Sequence, residues 1–156
     1  MEPEVCEQLL DTWAIHARVV LYVLEAVDPS ALAADAMRGR SAGRQYAHIH
    51  NVRLMWLQSA APDLLEGLNK FDNDQMPDHA ELVSALKASA AAVGELIARG
   101  LSSGRIKGFK PHPIAFLGYL IAHESFHQGD IGLRLTESGY PLAQKTAYGM
   151  WEWGIR

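Results

Sequence analysis

The chain has 156 residues, of which 49% are hydrophobic and 21% charged, and its formal net charge is −4 at pH 7. This length predicts one domain, residues 1–156, with a core large enough to fold without disulfides. The mild acidity argues against a nucleic-acid partner, because binding to a phosphate backbone needs clustered Lys and Arg. The single cysteine, Cys6, excludes an internal disulfide and a cysteine-rich zinc finger.

The N-terminal decapeptide MEPEVCEQLL is acidic where a secretory signal would be basic. No uninterrupted apolar stretch reaches the length of about 18 residues that suggests a membrane span. We therefore expect a cytoplasmic protein with no membrane partner.

Four segments carry apolar residues at three- and four-residue steps, the pattern of amphipathic helices. The first predicted helix runs from Pro3 to Ala26, and Asp28-Pro29 ends it. The second opens at Ser41, a plausible N-cap, and continues to about Ser59.

The third helix is predicted to begin at Asp78, where Asp78 and Glu81 have the spacing of a capping box, and to stop at Gly100. The fourth is predicted to begin at Pro113 and to run to about residue 138, before the helix-breaking stretch 139–141. A helical turn is expected around residues 64–68 of the connector between the second and third helices. Beyond the fourth helix we expect three aromatic side chains to be packed: Tyr148, Trp151 and Trp153.

β-strand alternation is absent at useful length. Four helices of about 18 to 26 residues with moderate connectors predict an all-α protein. The expected architecture is a four-helix bundle with a short C-terminal extension.

Two histidines of the fourth helix, His123 and His127, are one helical turn apart and leave the same face. Together with Leu120 and Ile131 they form a continuous stripe, which directs the imidazoles towards the core. Buried imidazoles without partners are costly, and a shared metal ion would satisfy both. The alternative is a pair of hydrogen-bonded or surface histidines.

The same pair completes the motif H-E-x-x-H, which in zinc peptidases supplies two ligands and a general base. Glu124 is therefore a candidate catalytic residue, although its position also fits a solvated or helix-pairing carboxylate. The extended peptidase motif fails, because Leu133 occupies the position of its third histidine. A downstream carboxylate, Glu152, is separated from the pair by the helix break at residues 139–141.

A catalytic ion of this type has three protein ligands and an open position, so a third donor is expected. The second helix offers His48 and His50. On a helical wheel His48 shares the more apolar face, whose other members are Ile49, Val52, Met55 and Trp56. His50 lies with Tyr46, Arg53 and Leu57 on a more mixed face. His48 is preferred as the inward ligand, and the other histidine would be bonded to a carbonyl or solvated.

Two further polar residues could serve this site. His16 lies on the apolar face of the first helix and is expected to be a core histidine bonded to backbone, with a place beside the metal ligands as the alternative. Asn51 follows His48 by one turn and could orient it, or could be a surface amide.

Two groups of basic residues precede helices. Their members are Arg38, Arg40 and Arg44 before the second helix and Arg105, Lys107 and Lys110 before the fourth. They could hold an anionic cofactor if the fold brings them near the metal ligands. A solvated loop is the simpler expectation for both groups.

Three motifs in this order resemble the DinB-like family: His48 followed eight residues later by Trp56, then HESFHQG, then DIGLRLTESGYPL. The resemblance covers nearly the whole chain. It implies a four-helix bundle in which three histidines hold a divalent metal, by carry-over His48, His123 and His127. Characterised relatives include thiol-dependent transferases and isomerases, and many associate as homodimers.

One residue departs from the family pattern. Relatives often carry a basic residue just before the glycine that follows the second histidine of the late pair, and this chain has Gln128. A contact to an anionic substrate or cofactor could be missing here.

These observations predict a metal-dependent transferase or hydrolase acting on a small molecule. All-imidazole ligation suits Zn, Ni, Fe or Cu, and we expect Zn, Ni or Fe. The ion would activate a thiol or water nucleophile, with a low-molecular-weight thiol as a further cofactor. The alternative is a non-catalytic bundle that works by association, with its metal structural or absent.

Overall fold

The computed structural model describes residues 2–34 and 39–156. Four long helices and one short helix follow one another along the chain: α1 (Pro3–Ala26), α2 (Ala42–Ala60), α3 (His79–Ser103), α4 (Pro113–Glu137) and α5 (Gln144–Gly149). Short 3₁₀ turns lie at Pro29–Ala31, Pro62–Leu65 and Trp153–Ile155. The predicted all-α bundle with a C-terminal extension is confirmed. None of the helices in these ranges combines the length and apolarity needed to span a bilayer.

Local sequence signals place most helix ends correctly. The Ser41 side chain accepts a hydrogen bond from the Arg44 amide and so caps α2. Asp78 and Glu81 form both bonds of the predicted capping box. At Pro113 the chain enters α4 with a proline in the first turn, where no amide hydrogen is needed.

The predicted end of α3 is wrong. The helix continues past Gly100 to Ser103 and ends where Gly104 adopts a φ of +76°. Gly100 has a packing role instead, because a Cβ at this position would collide with the Ile106 side chain.

The predicted packing of the C-terminal aromatic residues is wrong for Tyr148 and Trp151, whereas Trp153 is 37% exposed and lines a cavity with His16. Tyr148 and Trp151 are 67% and 77% exposed. The segment is anchored to α1 through Tyr22, whose ring lies 3.8 Å from the Arg156 guanidinium and whose hydroxyl leaves no room for a Cβ at Gly149. The contacts to α1 are thus made by Gly149 and Arg156, and the rings of Tyr148 and Trp151 are left largely exposed.

The helices α1 and α2 each pack against both α3 and α4. Buried side chains form two apolar clusters at different levels of the bundle, one around Leu24, Ile49 and Leu86 and the other around Trp13 and Phe116. Between these levels four buried polar side chains, one from each long helix, are joined by hydrogen bonds: His16, Arg53, Ser89 and Glu124. We call these four residues the polar layer.

The polar layer is organised around Glu124. The Nε and Nη2 atoms of Arg53 each donate to one carboxylate oxygen of Glu124, both over 2.7 Å. The Nε2 atom of His16 donates to the Oε2 atom over 2.9 Å. Arg53 also donates to the Leu86 carbonyl at 2.9 Å and to the Ser89 hydroxyl at 3.3 Å. The expected backbone bond of His16 is therefore replaced by a bond to a carboxylate.

Electrostatics keeps Glu124 ionised. Burial raises the pKa of its carboxyl group, but the charge and hydrogen bonds of Arg53, together with the bond from His16, lower the pKa to about 2. Both charged side chains are only 1% exposed, so each depends on the other for stabilisation.

We expect Arg53→Met to lower the free energy of unfolding by about 3–5 kcal/mol, because it leaves a buried carboxylate without its counter-charge. Urea unfolding of chelator-treated protein measures the change. The double variant Arg53→Met/Glu124→Leu should recover much of the loss, since it removes both charges.

Arg99→Met is the matched control, because Arg99 pairs with Asp63 and Glu95 on the surface. Screening by water makes such exposed pairs weak, and this variant should unfold close to the parent. Equal decreases in the free energy of unfolding for Arg53→Met and Arg99→Met would contradict a stabilising role of the polar layer.

Candidate metal centre

Three histidine side chains converge between α2 and α4. One ring nitrogen each of His48, His123 and His127 lies within 4.8 Å of the other two. All three side chains are partly buried. We call these three residues the histidine group.

The ring contacts within the group bring the imidazoles close together. The Nε2 atoms of His123 and His127 face each other at 3.2 Å. The His48 ring centroid lies 4.6 Å from that of His127 and 5.6 Å from that of His123. The Nδ1 atom of His123 is buried without a hydrogen-bond partner among the described residues. Imidazole nitrogens are good ligands for divalent transition ions, so these donors fit such an ion.

Gln45 orients one of the three imidazoles. Its side-chain oxygen lies 2.7 Å from the His127 Nδ1 atom, and its amide nitrogen donates to the Asp130 carboxylate. An ionised carboxylate only accepts, which fixes the amide with its oxygen towards His127. The Nδ1 atom of His127 must then carry the hydrogen, and its Nε2 atom carries the lone pair, which is the tautomer that can bind a metal ion through Nε2.

The Gln45 contact was not predicted from the sequence. Gln45 lies three residues before His48, and Asp130 lies three residues after His127, so both are one helical turn from a candidate ligand. That spacing is the signal that could have found them. The Asp130 carboxylate is held in turn by Arg134, whose Nη2 atom donates to it over 3.0 Å.

The surroundings keep the three imidazoles neutral. Burial lowers the pKa of His48 to about 4, with further lowering by the positive charge of Arg40 and by the two histidines of α4. Burial also lowers the pKa of His123 and that of His127. Neutral imidazole is the form that binds a metal ion.

His50 is separate from the histidine group. Its Nδ1 atom lies 3.1 Å from the Ala85 carbonyl oxygen and its Nε2 atom 3.0 Å from that of Asn69. The sequence predicts that one of His48 and His50 is bonded to a carbonyl or solvated. In the structure His50 is the histidine bonded to carbonyls.

The predicted faces of α2 are nevertheless wrong at two positions. Met55, on the predicted apolar face, is 53% exposed. Arg53, on the predicted mixed face, is buried because Glu124 neutralises it. Asn51 also has another role, because its amide exchanges two hydrogen bonds with the backbone of Phe71 and pins the connector that precedes α3.

Glu124 lies next to His123 in sequence but belongs to the polar layer. Its Oε1 atom accepts from Arg53, and its Oε2 atom accepts from Arg53 and His16. A solvated carboxylate is excluded by its burial, and the helix-pairing interpretation fits. Glu152 pairs with Arg156 in the C-terminal segment.

A cleft of about 250 Å³ adjoins His48. Its charged lining residues are Arg40, Arg44 and Asp72, and Phe71 and Asn73 also line it. Part of the first basic group is thus beside the histidine group, as the anionic-cofactor hypothesis requires, while Arg38 lies outside the described residues. The residues of the second basic group, Arg105, Lys107 and Lys110, do not line this cleft.

Gln128 lies on a different side of α4. It lines a separate cavity with His16 and Trp151, and both polar atoms of its amide are buried without a partner among the described residues. The residue that departs from the family pattern therefore lies on the side of α4 that faces α1. The cleft lined by Arg40 and Arg44, which we call the arginine-lined cleft, lies at the start of α2.

A helical bundle with three histidines gathered between its second and fourth helices defines the class of this protein: a four-helix bundle with a candidate metal site. The model of the DinB family matches residues 1–153, nearly the whole chain. The protein belongs to the DinB family. No curated protein matches the chain.

We expect Gln45→Leu to weaken metal binding about 10- to 100-fold, because His127 loses the partner that fixes its hydrogen and its ring orientation. Competition with a chromophoric chelator for Zn²⁺ measures the affinity. Gln58→Leu, an exposed position on the same helix, is the control and should bind as the parent does. An unchanged affinity in a folded Gln45→Leu protein would rule out the orienting role.

The lowered pKa of His48 predicts a pH dependence for chelator-treated protein. Between the ordinary value of 6.5 and about 4, the unfolded chain binds a proton at this position that the folded chain does not. The stability that comes from the neutral His48 side chain is therefore fully present above pH 6.5. The free energy of unfolding falls as the pH is lowered through this window. Urea unfolding across the window should give a shallower slope for His48→Gln, and an identical slope would contradict the assignment.

Proposed function

We propose that this protein is a metal-dependent enzyme that uses His48, His123 and His127 as metal ligands and acts on a small molecule. The observation that supports the proposal is the convergence of three neutral imidazoles beside a cleft. Three protein ligands with access from a cleft is the arrangement of catalytic sites, whereas structural zinc sites use four protein ligands. Zinc, nickel and iron all suit these donors.

When bound, the ion would supply the Lewis acidity that favours the deprotonated form of a thiol or water nucleophile. The chain's own residues prepare the site for this chemistry. Gln45 keeps the His127 hydrogen on Nδ1, and burial keeps the imidazoles neutral. The cleft beside His48 provides room for the substrate. This arrangement supports a transferase that uses a low-molecular-weight thiol or a hydrolase that uses water.

The geometry does not favour the peptidase alternative. A peptidase of the H-E-x-x-H type needs its glutamate as a base towards water. Here both oxygens of Glu124 already accept hydrogen bonds, and its pKa of about 2 makes it a poor proton acceptor. We propose that Glu124 stabilises the bundle, and its catalytic role stays a prediction.

A non-catalytic role in association is the second candidate. It is favoured by apolar side chains that face solvent on α4 and in the C-terminal segment, among them Phe126, Leu133 and Trp151. Large exposed apolar groups often mark protein contacts. The homodimer stays a prediction, and size-exclusion chromatography with light scattering tests it.

We expect protein purified without a metal-binding tag to contain about one equivalent of a divalent transition metal per chain, as a three-histidine site requires. Elemental analysis measures the content. His48→Gln should lose the metal because one of three ligands is replaced. His50→Gln should keep it, because His50 contacts carbonyl oxygens away from the group.

The outcomes separate the proposals. Metal retained in His48→Gln but lost in His50→Gln would exchange the roles of the two histidines. Parent protein that binds none of zinc, nickel or iron after incubation would rule out the metal-dependent mechanism and leave association as the function to pursue.

A further inference from the structure

Two cationic side chains stand beside the histidine group in the arginine-lined cleft. Arg44 lies one helical turn before His48, so the two side chains leave neighbouring positions of α2, with Cβ atoms about 5–6 Å apart. Arg40 lines the same cleft from the residue before the Ser41 cap.

The charge of the cleft selects a class of ligand. Arg40 and Arg44 are opposed by one acidic lining residue, Asp72, which leaves a net lining charge of +1. Within residues 2–34 and 39–156, neither arginine forms an ion pair. A single positive charge beside the ligands is complementary to a ligand with one negative group, and guanidinium groups match carboxylates in shape.

We propose that Arg40 and Arg44 make this site selective for small thiols that carry one carboxylate. The carboxylate pairs with the guanidinium groups, and the sulfur lies towards the histidine group. The short separation between Arg44 and His48 favours a ligand with only a few atoms between its sulfur and its carboxylate. This inference rests on the proposed function, because it requires a metal at the three histidines.

Cobalt-loaded protein tests the proposal through the absorption band that a thiolate produces when it binds Co²⁺. The probes are 3-mercaptopropionate, which is anionic, and 2-mercaptoethanol, which is neutral. The parent should bind the anionic thiol more tightly. Arg40→Gln and Arg44→Gln should each reduce the ratio of the two affinities about threefold, within the range for an exposed ion pair. Comparing ratios cancels the intrinsic difference between the two thiols.

Arg105→Gln is the matched control, because it removes the same charge from a residue outside the cleft, and its ratio should equal that of the parent. Ionic strength gives a second readout. Raising it from about 0.01 M to about 1 M shortens the screening length from about 30 Å to about 3 Å and should weaken the preference in the parent. Metal content measured in every sample shows that the arginine variants keep the histidine site.

Each failure has its own signature. A ratio that is unchanged in the double variant Arg40→Gln/Arg44→Gln, or that falls equally in Arg105→Gln, overturns the selectivity and leaves the metal site intact. If cobalt binds but neither thiol produces the band, the thiol branch of the proposed function fails. The affinities for malonate, which is anionic, and for neutral malonamide are then compared through the visible cobalt bands. This comparison decides whether the arginines select anions. Absence of cobalt binding overturns both proposals.

Discussion

The paired hydrogen bonds between Arg53 and Glu124 are the constraint on which the candidate site depends. Arg53 follows His48 by five residues on α2, and Glu124 adjoins His123 on α4. The ion pair therefore holds together the same two helices that carry the three histidines. A charged pair in an apolar interior stabilises a single alignment, because sliding one helix by a turn would leave both charges facing hydrocarbon. The distance between His48 and the α4 histidines follows from that alignment.

The environment, and not the motif, decides what each residue of H-E-x-x-H does. His123 and His127 point towards His48 of α2, where burial is partial and lowers the pKa of both imidazoles. Glu124 points to the interior, where Arg53 and His16 occupy its carboxylate. The same five residues thus provide a framework contact and two members of the candidate metal site. In a peptidase the glutamate would face the cleft with them.

Helix positions were largely predictable because their signals are local. Ser41 and the Asp78–Glu81 pair bind amides within three residues of themselves, and Pro113 suits the first turn of α4 because it needs no amide partner there. The contacts that complete the site join residues far apart in sequence, such as Gln45 with His127, and no local pattern contains them. Arg53 shows the same limit, since a helical wheel counts it as polar and cannot include the distant carboxylate that allows its burial. The exposed C-terminal rings were mispredicted because aromatic content alone does not reveal a packing partner.

The hydrogen bond from His127 to Gln45 has a consequence for how the other α4 imidazole handles its proton. With the His127 hydrogen on Nδ1, the hydrogen between the two Nε2 atoms, 3.2 Å apart, belongs to His123. If both Nε2 atoms were to hold an ion, that hydrogen would have to move to the Nδ1 atom of His123, the buried atom without a described partner. The Gln45 contact already gives His127 the tautomer with a free Nε2 lone pair, whereas His123 would have to change tautomer. Ion binding would then be coupled to a proton shift within a single ring, with no net release of a proton.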